Sequence, residues 1–153
     1  MPRFYTSEFD PRLICAQILL MQALLYAGLG FWLMLLNGFF GRPVTAVGLN
    51  RIFSYKSLSL NEPGSGTTIA ACLFNALFGG CFLMFVVERA KKCFDFAFTA
   101  HFLHLYGCYL YDGFPDTWEW WIVNIVSLVA MSLLGEYLCQ RREMQEIQLL
   151  PSR

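Results

Sequence analysis

Two histidines and a cysteine are the residues in this chain best placed to do chemistry. His101, His104 and Cys108 follow the spacing H-x2-H-x3-C. On a helix, positions i, i+3 and i+7 share one face, so the three side chains project together. Imidazole and thiolate are metal ligands, and a haem iron takes an axial histidine. One helix, however, supplies at most three ligands in awkward geometry, and the chain holds no other histidine. A haem between helices would also want an axial ligand from a second segment. Hydrogen bonding between helices is therefore the favoured role for His101 and His104, and no metal or cofactor is assigned. Asp95 lies about 180° from His104 at 3.6 residues per turn, so it cannot orient that ring. There is no paired nucleophile and base, no P-loop and no glycine-rich dinucleotide turn. An enzyme is not expected.

The segments that must position these residues are apolar. The 153 residues are 57% hydrophobic and 14% charged, against about 25% charged in a typical soluble domain. So small a chain has a large surface for its volume and too little charge to cover it. With 11 basic and 11 acidic residues the formal charge is zero, and no nucleic-acid partner is expected. The apolar residues fall in four blocks, Leu13 to Leu36, Thr67 to Val87, Phe94 to Tyr111 and Trp120 to Leu138. About 20 apolar residues in a helix cross a bilayer core. None of the blocks has a polar stripe or period-2 alternation. The expected fold is an all-α membrane protein, a single domain over 1–153 with four transmembrane helices in an antiparallel bundle. Its spans cover about 13–36, 67–87, 94–111 and 120–138. The short connections 88–93 and 112–117 are expected to make spans 2 and 3, and spans 3 and 4, antiparallel neighbours.

Charge outside the blocks sets the orientation. Arg3, Arg12, Arg89, Lys91, Lys92, Arg141, Arg142 and Arg153 fall on one side, and only Arg42, Arg51 and Lys56 on the other. Positive charge near span ends resists translocation. Both termini are thus expected to be cytosolic, with 37–66 a long lumenal loop and 139–153 a cytosolic tail. Trp118, Trp120 and Trp121 mark the far interface. The first block is too long for a cleavable signal and reads as a signal anchor.

Polar residues inside apolar blocks are functional candidates by default. Asp95 and Glu136 lie near the cytosolic ends of their spans and are read as interfacial, Asp95 paired with Lys91 and Lys92, Glu136 before Arg141 and Arg142. Gln17, Gln22, Asn75 and Asn124 are read as hydrogen-bonding links between helices. Cys72, Ala76 and Gly80, and likewise Ala23 and Ala27, recur every four residues and permit close helix contact. Phe94, Phe98, Phe102 and Tyr109 are read as a lipid-facing or packing stripe. Cys93 and Cys139 sit at the cytosolic boundary, where juxtamembrane cysteines are S-palmitoylation candidates; an inert buried thiol is the other reading. In the tail, Met144, Ile147 and Leu150 recur at helical spacing, so an amphipathic extension of span 4 is expected. Glu146 to Leu150 also has the form of an acidic dileucine sorting signal.

Several stretches together resemble the Sys-type Golgi trafficking proteins, small four-span membrane proteins. They are Asp10-Pro11, Leu13-Ile14, Gln17-Ile18 and Leu20-Met21-Gln22; Phe74-Asn75-Ala76-Leu77; Cys93-Phe94-Asp95-Phe96, His101-Phe102, His104-Leu105 and Gly107-Cys108; Phe114-Pro115, Trp120-Trp121 and Gly135-Glu136-Tyr137-Leu138-Cys139; and Glu146-Ile147 with Leu149. The resemblance covers nearly the whole chain and is weakest in the loop 37–66. It implies a multi-pass protein of the trans-Golgi network that acts as receptor for an Arf-related small GTPase with an acetylated N-terminus. The recruited GTPase would promote golgin recruitment and endosome-to-Golgi traffic. The docking surface is placed here from the residues themselves, on Arg89, Lys91, Lys92, Arg141, Arg142, Met144 and Ile147. The competing classes are a membrane redox, metal or haem protein built on His101 and His104, and a small transporter. Whether the chain forms a homo-oligomer is left open.

Overall fold

The computed structural model describes residues 10–43 and 47–148. Arg3, Arg153 and the Leu149-Leu150 pair lie outside the described residues. The elements are α1 (Pro11–Phe39), α2 (Leu49–Phe53), a 3-10 turn (Tyr55–Leu58), α3 (Ser65–Val86), α4 (Ala90–Asp112) and α5 (Trp118–Gln148). No strand occurs among the described residues, so the all-helical expectation stands.

The helices are continuous because nothing interrupts them. A proline inside a helix removes a hydrogen bond and clashes with the preceding turn. Here Pro11 occupies the first turn of α1, where its missing N–H costs nothing. Pro43, Pro63 and Pro115 all lie in connections. Asp10 caps α1 by accepting from the Arg12 N–H at 3.0 Å. Gly64 opens α3 at φ 91°, a left-handed conformation that glycine adopts without a Cβ clash. The Thr67 and Thr68 hydroxyls return to its carbonyl at 2.7 and 3.3 Å.

Packing places α3 at the centre, against α1 on one side and α5 on the other, with α5 also packed along α4. The starts of α1 and α4 meet the ends of α3 and α5. Met21, Leu83, Val87, Ala90, Cys93 and Cys139 share one buried cluster there. The arrangement is therefore up-and-down. The short connection between α3 and α4 does not make those two close partners, as had been expected from its length. They touch only sparsely, because the α3 face that permits closest approach is filled by α5. A Cβ on Gly80 would lie 2.9 Å from Leu134 Cβ, and one on Gly135 2.8 Å from Leu83 Cδ1. Ala76 and Gly80 are buried as expected, whereas Ala23 and Ala27 face outward. The close approach of α1 is made instead at Gly28, where a Cβ would come within 2.5 Å of Asn75 Oδ1.

Large apolar side chains point away from the bundle, among them Leu19, Phe85, Leu110, Ile125 and Leu133. The Phe94, Phe98 and Phe102 rings stack along the outer face of α4 at centroid spacings of 6.3 and 6.4 Å. Among the described residues, three stretches, Pro11–Phe39, Ser65–Val86 and Trp118–Ile147, are long and apolar enough to cross a membrane. α4 has 23 residues, hence roughly 34 Å at 1.5 Å per residue. It matches the spans in length and is less apolar.

The connection before α3 is built into the fold. Leu58 packs with Cys108, Trp120 and Val123, and Ile52 against Leu29, Leu33 and Ala71. Trp120 is therefore a core residue, 2% exposed, and not an interface anchor like the outward-facing Trp118. Its ring lies nearly parallel to that of His104.

Gly80→Ala is expected to destabilise the protein by roughly 1–3 kcal/mol, the usual cost of overpacking, because Leu134 Cβ sits next to the backbone and cannot swing away. Gly30→Ala, which meets nothing within 4 Å, should leave the thermal midpoint in detergent unchanged or slightly raised. Equal midpoints for the two variants would contradict this packing.

Candidate functional site

Two regions gather the residues singled out by sequence. The first is the end of the bundle where the α3–α4 connection meets α5. Glu88 takes φ 60°, turning the chain sharply between the helices. The Ala90 N–H donates to Glu143 Oε1 at 3.2 Å, so a carboxylate on α5 caps α4 and complements the positive end of its dipole. Arg142 lies 3.9 Å from Glu88 and 3.8 Å from Glu146, and its Nη1 reaches the Met84 carbonyl at 3.5 Å. Connection and tail thus form one surface. Lys91, Lys92 and Arg141 stand exposed on it, with no ion pair among the described residues, and Arg89 is exposed beside them.

The tail is helical to Gln148, as its periodicity indicates. Met144 and Ile147 are 63% and 69% exposed. A shallow depression on the same helix is lined by Tyr137, Gln140, Arg141, Met144 and Gln145. With 31 residues, α5 is roughly 46 Å long, well beyond the ~30 Å hydrocarbon core.

Some expected pairings are absent. Asp95 is exposed and forms no ion pair with Lys91 or Lys92 among the described residues. Arg142 takes Glu88 and Glu146, both exposed at this end of the bundle. Cys93 and Cys139 are 0% and 1% exposed, with their sulfurs 3.5 Å apart. Both thiols face inward between α4 and α5, a placement that suits a buried thiol and not an acyl acceptor.

The second region is polar and lies inside the bundle. Gln17 Nε2 donates to the Val86 carbonyl at 2.8 Å and Gln22 Nε2 to that of Ala100 at 3.0 Å. Asn75 Nδ2 donates to the Leu25 carbonyl at 3.0 Å. These three tie α1 to α3 and α4. Asn124 instead bonds within its own helix, to the Trp120 carbonyl. His101 Nδ1–H donates to the Ala97 carbonyl at 2.9 Å. His104 lies between the Tyr26 hydroxyl at 3.5 Å and the Cys108 thiol at 3.6 Å. One ring nitrogen accepts and the other donates, so a neutral imidazole satisfies both contacts. Among the described residues no three His, Cys, Asp or Glu side chains converge to hold a metal. A cavity of about 70 Å³ opens beside these groups and is roofed by Arg51, Ile52 and Leu58.

That roof is latched, a feature that sequence reading missed. Ser54 Oγ donates to Asp112 Oδ2 at 2.6 Å, and Lys56 Nζ to Oδ1 at 3.1 Å. The Tyr111 hydroxyl bonds Asn50. The hydrogen bonds from Ser54 and Lys56 hold the Asp112 carboxyl below its ordinary range. The hydrogen bond and charge of Asp112 hold the Lys56 ammonium above its own.

These features define a polytopic all-helical membrane protein with a polar interior and a charged helical extension. Residues 4–149 match the family model described as "SYS1: Integral membrane protein S linking to the trans Golgi network". "Protein SYS1 homolog" of Nematostella vectensis is 40% identical over 147 residues, covering 95% of this chain and 91% of that one. The Dictyostelium discoideum "Protein SYS1 homolog" is 38% identical over 143 residues, covering 94% of this chain and 60% of the relative. "Protein SYS1" of Saccharomyces cerevisiae is 24% identical over 95 residues, 62% of this chain and 47% of its own length. No solved structure matches the chain significantly. The chain belongs to the SYS1 family of Golgi integral membrane proteins, a membrane trafficking family.

The latch sets a pH expectation. A depressed carboxyl pKa contributes stability that is present above the unfolded value and lost only as pH falls through the lower folded one. A raised ammonium pKa contributes stability lost only as pH rises through the higher folded value. Hydrogen-exchange protection of amides 49–58 should therefore hold steady between pH 6 and 9, and fall below the ordinary carboxylate range (about 3.9). Asp112→Asn should lower it throughout.

Proposed function

We propose that this protein is a Golgi membrane receptor that recruits an Arf-related small GTPase with an acetylated N-terminus. Recruitment would support golgin binding and endosome-to-Golgi vesicle traffic at the trans-Golgi network. Family membership supplies the Golgi membrane setting; the GTPase comes from the resemblance of the motifs. The observation that carries the docking surface is Arg142, which joins the α3–α4 connection to the α5 extension through Glu88 and the Met84 carbonyl. Lys91, Lys92 and Arg141 supply positive charge there, Arg89 adds to it, and Met144 and Ile147 supply apolar anchors.

A physical need fits such a receptor. A single weak membrane anchor gives only marginal, reversible binding, and stable attachment takes a second signal. An acetylated amphipathic N-terminus is one such anchor, its terminal charge removed. A protein partner confined to one membrane supplies the second signal and the address.

In this reading all four long helices span the bilayer. α4 completes the set, with its charged residues Lys91, Lys92 and Asp95 at one end and His101 and His104 facing the interior. Both termini and the docking surface are cytosolic, and the latched segment 49–58 is lumenal. A glycosylation sequon introduced at exposed residues 60–62 should be modified in cells, and one in the 88–92 connection should not. The opposite pattern would invert the topology.

Lys91→Glu together with Lys92→Glu should reduce Golgi-bound GTPase several-fold while the receptor itself still reaches the Golgi. Unchanged recruitment would remove the docking surface from this end. Failure of the wild-type protein to co-purify or label by proximity with the GTPase would remove the receptor function altogether.

A further inference from the structure

The cavity inside the bundle has no part in the docking function. Apolar Leu25 and Met131 form part of its wall, and Asn75 and Ser127 form a polar part. Asn75 Oδ1 and Ser127 Oγ are both buried with no hydrogen-bond partner, in residues only 8% and 5% exposed. The orientation of the Asn75 amide is set by its other half. Nδ2 donates to the Leu25 carbonyl at 3.0 Å, and a flipped amide would turn one oxygen against another. Gly28 lets Asn75 Oδ1 pack against the α1 backbone, since any Cβ there would lie 2.5 Å from it.

An orphaned acceptor in a bilayer has no bulk water to turn to. Its partner must be enclosed with it. One water needs about 10–15 Å³ of such space and two to four polar partners. The cavity volume of about 70 Å³ holds several waters, and it is too small for a lipid headgroup. We propose that this cavity is a hydrated binding site, in which enclosed water donates to Asn75 Oδ1, bonds Ser127 Oγ and so links α3 to α5. Direct side-chain hydrogen bonds already tie α1 to α3 and α4; water supplies the corresponding polar tie between α3 and α5. Arg51, Ile52 and Leu58 line the site at the loop end.

Ser127→Ala in the full chain separates a wet site from a dry one by the sign of its effect. In a dry cavity, removing an unsatisfied hydroxyl is neutral or stabilising. In a hydrated one it strips water of a partner, and the thermal midpoint should fall by about 2–4 °C, the usual response of a chain this size to a lost hydrogen bond. A raised or unchanged midpoint would overturn the proposal. A structure of the wild-type protein in lipid nanodiscs, at a resolution that shows ordered water, gives an independent reading. Solvent density within hydrogen-bond reach of Asn75 Oδ1 and Ser127 Oγ is expected. An empty cavity, or one filled by an acyl chain or detergent, would overturn the proposal.

Discussion

Helices dissolved in hydrocarbon gain nothing by hiding leucines from their surroundings, so close approach of backbones has to hold this bundle together. The approach of α3 to α5 at Gly80 and Gly135 is the contact on which the rest depends. It puts α3 at the centre and α5 beside it, and α4 packs along α5. The burial of Cys93 against Cys139 and of Trp120 beside His104 follows from that order. So does the meeting of the α3–α4 connection with the α5 extension.

Polar side chains add a second kind of cohesion suited to the same solvent. Gln17, Gln22 and Asn75 donate to backbone carbonyls of neighbouring helices, where the alternative is an unsatisfied amide in hydrocarbon. His104 is held between Tyr26 and Cys108 for the same reason. These groups explain why α4, less apolar than the membrane-length stretches of α1, α3 and α5, belongs in the bundle. Its imidazoles face the interior, and the outer stripe Phe94, Phe98 and Phe102 faces away. The charged end is built differently. Arg142 and Glu143 make their contacts beyond the apolar core, where water lets several partial interactions coexist.

Much of this was legible in residue order. Each of the four apolar blocks lies in one long helix, and α5 runs ten residues past the last apolar block into the tail; the helices are unbroken because the prolines lie only at their boundaries. The outward stripe on α4 and the helical tail followed from 3.6-residue periodicity. Partner choice was less legible. Asp95 had Lys91 and Lys92 at suitable sequence spacing, and no such pair formed. Arg142 found Glu88, 54 positions away. Ala23 and Ala27 had the spacing of a contact face and point outward, whereas Gly28, one position on, makes the contact. The segment 49–58 carried no periodic signal because its helical pieces are too short to show one. Its latch to Asp112 joins residues far apart in the chain.

The sequence by itself determined that this is an all-helical membrane protein, where its long helices lie and to which family it belongs. Those properties depend on hydropathy summed over some twenty residues and on motifs read in order, and neither requires knowing which helix touches which. Only the tertiary structure decided that Trp120 is core, that Cys93 and Cys139 face each other, that the loop roofs a polar cavity, and that connection and tail make one surface. Each of those depends on the rotation and neighbours of whole helices. A bundle sets these through a few glycine contacts between residues distant in sequence, which local spacing does not encode.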